Sequence, residues 1–376
     1  MLFGLFRKPF LFFGNPFLPK ELADPQRILI THFGGTADIV RSMPLLVALR
    51  YRFPHADIAW LIEEKTAPLV LDHWAVNRLI VVQHNWYKHL SEIRRVRCRL
   101  QSFAPHVAVD PQNSWSSSLA AWLSRATYRI GFGKKQSRRL HNVHIITDET
   151  HRIERNLQLL QPFGIFGCDI GFDLPEFEKD RLTAKNVLRR IGMPDDFVLL
   201  HISADTPSSR WHEERYASLA KNLYDQWNLP SLVTWTGDEA ESHRAERVVL
   251  ASGGAAALVQ QTSLVDRRSL AKVATLFVGS DTAELQIAAA VGTTCIGLFG
   301  PTSAWENAPV GEEHRTIQVA GPEKRRHETF HEWMDALTVE SVYEKCDEVL
   351  TTISQPASAP GKVMPIESWS VQKKVA

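Results

Sequence analysis

One stretch constrains the fold more than any other, residues 274–309, ATLFVGSDTAELQIAAAVGTTCIGLFGPTSAWENAP. Its pattern predicts a strand, a helix and a second strand. The strands are two short apolar runs, and the helix is the alanine-rich segment that follows the small oxygen-bearing residues 280–282 and ends at Gly292. A helix that begins at the carboxyl end of a parallel strand points its unpaired N–H groups and positive dipole end at the ligand crevice of the sheet. The stretch therefore predicts either a phosphate-binding βαβ unit or an ordinary βαβ unit with a capped helix.

The same alternation of strand and helix recurs along the chain. Residues 26–33, 56–62 and 78–82 are predicted strands, residues 39–53 a helix, and residues 197–202 and 231–235 strands of a second sheet. Because 376 residues exceed what one core usually holds, we predict two α/β domains, each a doubly wound parallel sheet, facing each other across a cleft. The predicted divisions are an aromatic and basic amino-terminal arm (1–26), a first domain (27–168), an interdomain crossing (169–181), a second domain (182–353) and a disordered or strap-like tail (354–376).

Charge is divided unevenly between the two halves. Residues 1–165 hold 22 Lys and Arg against 12 Asp and Glu, whereas the remainder holds 21 against 30. A basic first half predicts an acidic partner such as a phosphorylated lipid, a membrane surface or nucleic acid. Nucleic acid is disfavoured because no zinc-finger, RNP or helix-turn-helix signature is visible. The four cysteines are widely spaced, which argues against a zinc site or a disulfide framework and indicates a reducing compartment.

The first 19 residues, MLFGLFRKPFLFFGNPFLP, combine aromatic, apolar and basic side chains. Their apolar runs are too short to span a bilayer, and no clear signal-peptide cleavage site follows them. Such a segment either lies on a membrane surface or packs as an irregular arm on the fold. We expect a cytoplasmic protein, with peripheral contact at the inner membrane surface as an open alternative.

Taken together in order and spacing, the motifs between residues 27 and 311 resemble those of glycosyltransferase family 9, the ADP-heptose:lipopolysaccharide heptosyltransferase family. The matching segments are Ile28-Leu-Ile…Gly35-Thr-Ala-Asp38…Met43-Pro44, Val109-Asp110-Pro-Gln112, Arg129-Ile-Gly131-Phe132, His151…Arg155, Arg210-Trp211 and Gly279-Ser-Asp281-Thr282…Gly300-Pro301-Thr302. The resemblance implies a GT-B architecture of two Rossmann-like domains, with the acceptor on the first and the nucleotide-sugar on the second. It also implies that a sugar is transferred with inversion and without a metal ion or cofactor. The implied donor is an ADP-linked nucleotide-sugar, and the implied acceptor is an anionic glycolipid of the lipopolysaccharide core.

The resemblance also implies roles for residues of the first domain. Asp38 matches the proposed base that takes the proton of the acceptor hydroxyl; the alternative is that it only caps the helix starting at Ile39. Gly34 and Gly35 would let the backbone pass close to the sugar or adopt positive φ. The acceptor-side candidates are Asp110, Gln112 and Arg152.

On the second domain, Asp281 and Thr282 match positions that meet the sugar or the diphosphate. Ser203 and Thr206 could add hydroxyl donors, and plain loop and cap chemistry is the alternative interpretation of these hydroxyls. The family pattern has lysine, glycine and histidine where this chain has Ser209, Ala283 and Gln286, three further donor-site candidates. Arg210, next to Ser209, could supply the charge of the absent lysine.

These departures leave a second function open, a binding or scaffold protein that keeps the fold without catalysis. A third alternative is a glycosyltransferase that acts on a protein or an exopolysaccharide. The retained Asp38, Asp281 and Thr282 favour transfer of a heptose or related sugar to a cell-envelope acceptor.

Overall fold

The computed structural model describes residues 20–133, 139–166, 171–172, 174, 178–260, 262–319 and 333–354. The predicted arm up to residue 19, part of the predicted crossing and the predicted tail after residue 354 lie outside these ranges. None of the described helices combines the length and the apolar character needed to cross a membrane.

The first lobe is built on a parallel sheet of six described strands in the order β3-β2-β1-β4-β5-β6. The strands are β1 (Arg27–Thr31), β2 (Asp57–Glu63), β3 (Arg78–Val82), β4 (Val107–Val109), β5 (Tyr128–Phe132) and β6 (Val143–Ile145). The helices are α1 (Lys20–Ala23), α2 (Thr36–Arg52), α3 (Leu90–Phe103), α4 (Trp115–Leu123) and α5 (Arg152–Leu157), with 3₁₀ turns at Ala67–Leu69, Trp86–Lys88 and Gln158–Phe163.

The second lobe repeats this arrangement, with the parallel strand order β12-β11-β10-β7-β8-β9. The strands are β7 (Val198–His201), β8 (Ser231–Thr234), β9 (Ala256–Leu258), β10 (Leu276–Ser280), β11 (Cys295–Phe299) and β12 (Arg315–Gln318). The helices are α6 (Glu178–Arg190), α7 (Glu213–Trp227), α8 (Glu239–Ala251), α9 (Leu264–Val273), α10 (Ala283–Ala290), α11 (Ala304–Asn307) and α12 (Val339–Ser354), with 3₁₀ turns at Pro207–Ser209 and Met334–Ala336.

Both sheets have the doubly wound order of a Rossmann fold, so the predicted fold class is confirmed. In each sheet the chain reverses its direction of winding next to the first strand, between β1 and β4 and between β7 and β10. Ligands of doubly wound sheets bind at the carboxyl ends of the strands beside this point. The loops after β1, β7 and β10 are therefore the places where a ligand is expected.

The two lobes are joined by packing of α2 on α10. One buried apolar cluster contains Ile39 and Met43 of α2 together with Leu285 and Ala288 of α10. This explains why α2 is buried along most of its length, since it packs on its own sheet, on α5 and on the opposite lobe. The packing brings the beginnings of α2 and α10 to the same cleft.

Helix α2 begins at Thr36, three residues earlier than predicted. Gly35 is its N-cap, and the Ile39 amide already donates to the Gly35 carbonyl at 3.0 Å. Asp38 therefore lies in the first helical turn, whereas the predicted start at Ile39 placed it just before the helix. Two roles were predicted for Gly34 and Gly35, a close approach of the backbone to the sugar and a positive φ. Neither glycine has a positive φ. Gly34 instead allows close packing, because a Cβ there would lie 3.1 Å from His32 Nε2 and 3.2 Å from Asp38 Oδ2.

Candidate active site

A cavity of about 780 Å³ lies between the lobes, at the carboxyl ends of the sheets. Its walls come from the beginning of α2, from α5, and from the loops that follow β7, β10 and β11. The lining residues are Gly35, Thr36, Ala37, Asp38, Arg41 and Arg152 of the first lobe, and Asp205, Thr206, Ser208, Ser209, Asp281, Thr282, Ala283, Pro301, Thr302 and Asn307 of the second. The structure thus brings eight of the predicted site residues together: Gly35, Asp38, Arg152, Thr206, Ser209, Asp281, Thr282 and Ala283.

Asp38 presents a partly exposed carboxylate at the first-lobe wall, its side chain 41% accessible. Two guanidinium groups face it: Arg152 Nη1 lies 3.3 Å and Arg41 Nη1 lies 3.6 Å from Asp38 Oδ1. Arg41 is placed there by helical spacing, because residues three apart share a helix face. The carboxylate is therefore held by cations and remains open to the cavity, as a proton acceptor must be.

Arg41 crosses the cleft. Its Nη2 lies 3.5 Å from Asp281 Oδ1 of the second lobe, and its Nε, also buried, has no hydrogen-bond partner in the described residues. Burial lowers the pKa of Arg41, while Asp281 and Asp38 act in the opposite direction. Arg41 is not among the site residues predicted from the sequence, although its spacing of three residues from Asp38 was a usable signal.

The second-lobe wall has the features of an anion site. Thr282 is the N-cap of α10, but its hydroxyl makes no cap hydrogen bond and lies buried without a hydrogen-bond partner among the described residues. The first amides of a helix also lack intrahelical partners, so the residues Thr282 and Ala283 bring unpaired donors to the cavity. Burial raises the pKa of Asp281, and the Arg41 guanidinium opposes this effect. The cavity thus offers donors for an anion beside a carboxylate that is already paired.

The loop after β7 adds hydroxyl groups to this wall. Thr206 Oγ1 lies 3.0 Å from Ser208 Oγ and 2.9 Å from Ser209 Oγ, and all three residues line the cavity. Asp205 lies beside them. The pKa of its carboxyl group is raised, mainly by burial and to a smaller extent by the negative charge of Glu284. Asp205 and Ser208 lie in sequence between the predicted donor-site residues Ser203 and Ser209, but the sequence did not show which residues of this segment would face the cleft.

Three predicted donor-site residues lie outside the cavity. Arg210 Nη2 forms an ion pair with Glu241 Oε1 at 2.5 Å, and Ser203 Oγ lies 3.0 Å from the other oxygen of the same carboxylate. Gln286 is buried and donates to the Asn307 carbonyl at 2.8 Å. Glu241 of α8 therefore binds the Ser203 hydroxyl and the Arg210 guanidinium, the two groups that were expected to contact the donor. Arg210 does not take the place of the absent lysine.

Three predicted first-lobe residues also lie outside the lining. Asp110 is fully buried and accepts hydrogen bonds from Ser118 Oγ, His141 Nε2 and the Asn113 amide at 2.8, 3.0 and 2.7 Å. Gln112 Oε1 accepts a bond from the Phe33 amide at 3.1 Å. Both side chains fasten the loop after β4, so their polar groups serve the fold. Gly34 lies behind Asp38, as described above.

A buried polar network supports the first turns of α2. His32 Nδ1 lies 2.7 Å from Ser42 Oγ, which donates to the Asp38 carbonyl at 3.0 Å. Asn156 Nδ2 donates to Ser42 Oγ at 3.2 Å and to the Arg41 carbonyl at 3.3 Å. Burial lowers the pKa of His32 to about 4, so its ring is neutral at pH 7 and donates from Nδ1. The network positions the backbone that carries Asp38 and Arg41.

Among the described residues, one group brings three metal-ligating atoms close together: His212, Glu213 and Glu214 at the beginning of α7. None of them lines the cavity, and Glu213 Oε1 pairs with Arg247 at 2.6 Å. Metal independence stays a prediction.

The family model for glycosyltransferase family 9 (heptosyltransferase) matches residues 93–334. Lipopolysaccharide heptosyltransferase 1 of Pseudomonas aeruginosa is 25% identical over 300 residues, which cover 74% of this chain and 79% of that protein. Lipopolysaccharide heptosyltransferase 3 of Escherichia coli is 22% identical over 284 residues, 70% of this chain and 80% of that protein.

Solved structures share the fold. A family 9 glycosyltransferase from Veillonella parvula superposes with a TM-score of 0.77 at 17% identity, covering 87% of this chain and 98% of that one. The E. coli heptosyltransferase WaaC, solved with ADP-2-deoxy-2-fluoro heptose, gives 0.69 at 19% identity, covering 86% and 99%. The family match, the GT-B arrangement of two Rossmann-like lobes and the shared cleft lead to one conclusion: the chain belongs to glycosyltransferase family 9, the heptosyltransferase family, and is a glycosyltransferase.

Proposed function

We propose that this protein transfers a heptose or a related sugar from an ADP-linked donor to the lipopolysaccharide core or another cell-envelope glycolipid, with inversion and without a metal ion. The observation that carries the proposal is the shared cavity, which is lined by Asp38 of one lobe and by Thr282, the N-cap of α10, of the other. The relatives named above are lipopolysaccharide heptosyltransferases, and WaaC was solved with an ADP-heptose analogue. Both support the choice of donor and acceptor.

In the proposed reaction, Asp38 takes the proton of an acceptor hydroxyl while that oxygen attacks the anomeric carbon of the donor sugar. The bond between the anomeric carbon and the diphosphate oxygen breaks, and its electron pair leaves with the nucleoside diphosphate. One displacement on the face opposite the leaving group inverts the anomeric centre. The product is a glycosidic bond to the acceptor, and the proton remains on Asp38 until solvent removes it.

The leaving diphosphate needs positive potential. Among the residues that the structure describes, the second-lobe lining contributes hydroxyls and helix amides but no lysine or arginine, whereas Arg41 and Arg152 reach the cavity from the first lobe. We assign the role of the absent lysine at position 209 to Arg41, because it already contacts the donor-side Asp281. Arg152, more exposed beside Asp38, is suited to an anionic acceptor.

Binding and transfer are tested in turn. Nucleotide-sugars carrying ADP, GDP or UDP are screened by thermal shift, and we expect selective stabilisation by the ADP-linked one, about 2.7 kcal/mol at 100 times its Kd. ADP release is then measured with a lipopolysaccharide-core glycolipid, a polypeptide and an exopolysaccharide as acceptors. Absence of stabilisation by any nucleotide-sugar would favour a non-catalytic scaffold, and release with another acceptor would replace the glycolipid.

A further inference from the structure

Helix α4 exposes an aromatic stripe away from the cavity. Trp115, Leu119 and Trp122 are spaced four and three residues apart and therefore share one face. Both tryptophans are 51% exposed, while Ala120 and Ala121 on the other side are buried. Large exposed aromatic side chains at helical spacing indicate an interaction surface.

Helix α3 carries a matching stripe. Leu90, Arg94, Arg97 and Gln101 follow one another at spacings of four, three and four residues. Leu90 is 75% exposed and both arginines are exposed, whereas the opposite face of the helix is buried. The stripe thus combines an apolar side chain with two cations.

The two stripes lie side by side. Gln101 Nε2 donates to the Leu123 carbonyl at the end of α4, at 3.1 Å. Near the beginnings of both helices, the rings of Tyr87 and Trp115 contact edge to face, with 6.0 Å between centroids. The helices therefore run together, and we call Leu90, Arg94, Arg97, Trp115, Leu119 and Trp122 the Trp–Arg surface.

The charge around this surface is positive. Residues 84–125 contain six Lys and Arg but only two acidic residues, Glu92 and Asp110. Asp110 is buried, and Glu92 pairs with Arg95 on α3. No acidic group of the described residues forms an ion pair with Arg94 or Arg97. Their charges are therefore available to an anionic partner.

We propose that the Trp–Arg surface docks the protein on an anionic lipid membrane. Tryptophan is favoured at the membrane–water interface, where its ring lies among acyl chains and its N–H reaches the headgroups. Arginine beside it is attracted by anionic headgroups, and its planar fork matches phosphate geometry. Exposed tryptophans flanked by unpaired arginines have the composition of an interfacial helix surface.

The Trp–Arg surface faces away from the cavity, but the loop after β4 connects it to the strand end that precedes Asp38. Trp115 begins α4, directly after the β4 loop, where Gln112 holds the Phe33 amide. Phe33 precedes Gly34 and the helix that carries Asp38. Docking through the Trp–Arg surface would therefore hold the first lobe, which carries Asp38, against the lipid surface. This rests on the proposed function and deepens it by stating how a lipid-linked acceptor is approached.

Flotation of the full chain with vesicles tests the proposal without any sugar donor. We expect binding to phosphatidylcholine vesicles with 30% phosphatidylglycerol, and weak binding to pure phosphatidylcholine. Arg94→Gln with Arg97→Gln should lower the partition coefficient on anionic vesicles about 30-fold and reduce its salt dependence. Trp115→Ser with Trp122→Ser should lower it about 10-fold.

Matched controls are Trp74→Ser, an exposed tryptophan elsewhere on the first lobe, and Arg189→Gln with Arg190→Gln at the end of α6. Both should bind within two-fold of the unmodified chain. Unchanged binding in the two Trp–Arg variants overturns the proposal, whichever other segment then attaches the protein. A concentration-dependent dimer that Trp115→Ser with Trp122→Ser abolishes, without vesicle binding, assigns the surface to self-association instead.

The vesicle result and the nucleotide result are separable. Variants of the Trp–Arg surface should keep the thermal-shift response to nucleotide-sugars, because none of its residues lines the cavity. Vesicle binding without any nucleotide response would contradict the proposed transfer alone, and a nucleotide response without vesicle binding would contradict the docking surface alone.

Discussion

Arg41 and Asp281 form an ion pair across the cleft, with 3.5 Å between Nη2 and Oδ1 and both side chains less than 10% exposed. The same guanidinium lies 3.6 Å from Asp38 Oδ1. One cation thus links the first-lobe carboxylate to the donor-side wall. A buried ion pair adds little net stability, because desolvation offsets the attraction. Under the proposed function, this guanidinium is placed to meet the diphosphate of the donor between the lobes.

Replacing Arg41 with Gln should weaken binding of the nucleotide-sugar. A hydrogen bond to a charged group contributes about 1.5–3 kcal/mol, so we expect a loss of affinity of about 10- to 150-fold by calorimetry. The double variant with Asp281→Asn separates charge from stability: it should recover unfolding free energy lost by Arg41→Gln, since no buried carboxylate remains unpaired, but not affinity. Affinity unchanged in Arg41→Gln would contradict the assignment.

Arg210→Gln should behave differently, although Arg210 also adjoins the predicted donor loop. Its guanidinium binds Glu241, which keeps it outside the cavity. We expect donor affinity within two-fold of the unmodified protein and a lower unfolding free energy, because Glu241 loses its cation. A ten-fold loss of donor affinity with unchanged stability would show that Arg210 moves to the ligand.

Asp38→Asn should remove the base and keep the cavity. General-base catalysis contributes about 10²- to 10⁴-fold, so kcat should fall by that factor while donor affinity stays within a few-fold. Stability should change by less than about 1 kcal/mol, because the contacts with Arg152 are partly exposed. Single-turnover rates with donor and acceptor give the measurement, and full turnover in the variant would exclude Asp38 as the base.

Thr282→Val tests whether the Thr282 hydroxyl stabilises the fold or binds the ligand. In the part of the chain that the structure describes, this buried hydroxyl has no hydrogen-bond partner, so the isosteric valine should leave stability unchanged or raise it by about 1 kcal/mol. Donor affinity should nonetheless fall about 5- to 10-fold, because the bound phosphate loses one donor. Urea unfolding and calorimetry measure the two effects. A marked loss of stability with unchanged affinity would indicate that the hydroxyl serves only the fold.

His32 should make stability depend on pH. Its pKa is about 4 in the folded protein and 6.5 when unfolded, so the unfolded chain binds more protons below pH 6.5. The unfolding free energy is therefore unaffected by His32 above pH 6.5. As the pH falls toward 4, protonation of this residue in the unfolded chain lowers the unfolding free energy by up to about 3 kcal/mol.

His32→Gln should therefore flatten the unfolding free energy between pH 6.5 and 4 relative to the unmodified chain. The buried His201 and the half-buried His151 also have lowered pKa values, but the variant and the unmodified chain both retain them, so the difference between the two curves isolates His32. Parallel pH curves for the two proteins would contradict this origin.

Much of the fold was predictable because its strands and helices depend on local sequence patterns. The apolar runs that became β1, β7, β10 and β11 are recognisable from a few neighbouring residues, and parallel strands need buried apolar faces. The start of α10 followed from small polar residues after a strand. The start of α2 was missed by three residues, since Gly35 caps it through its backbone and leaves no side-chain signal.

The sequence by itself determined two doubly wound lobes, their family motifs and the placement of Asp38 and Thr282 at the beginnings of helices. Only the tertiary structure decided which charged groups share the cleft: Arg41 meets Asp281, 240 residues away, whereas Arg210 turns to Glu241. The reason is physical. Helix starts depend on neighbouring residues, but the partner of a buried charge depends on how distant elements pack. The packing of α2 on α10 brings Arg41 to Asp281, and the position of α8 within the second lobe brings Glu241 to Arg210.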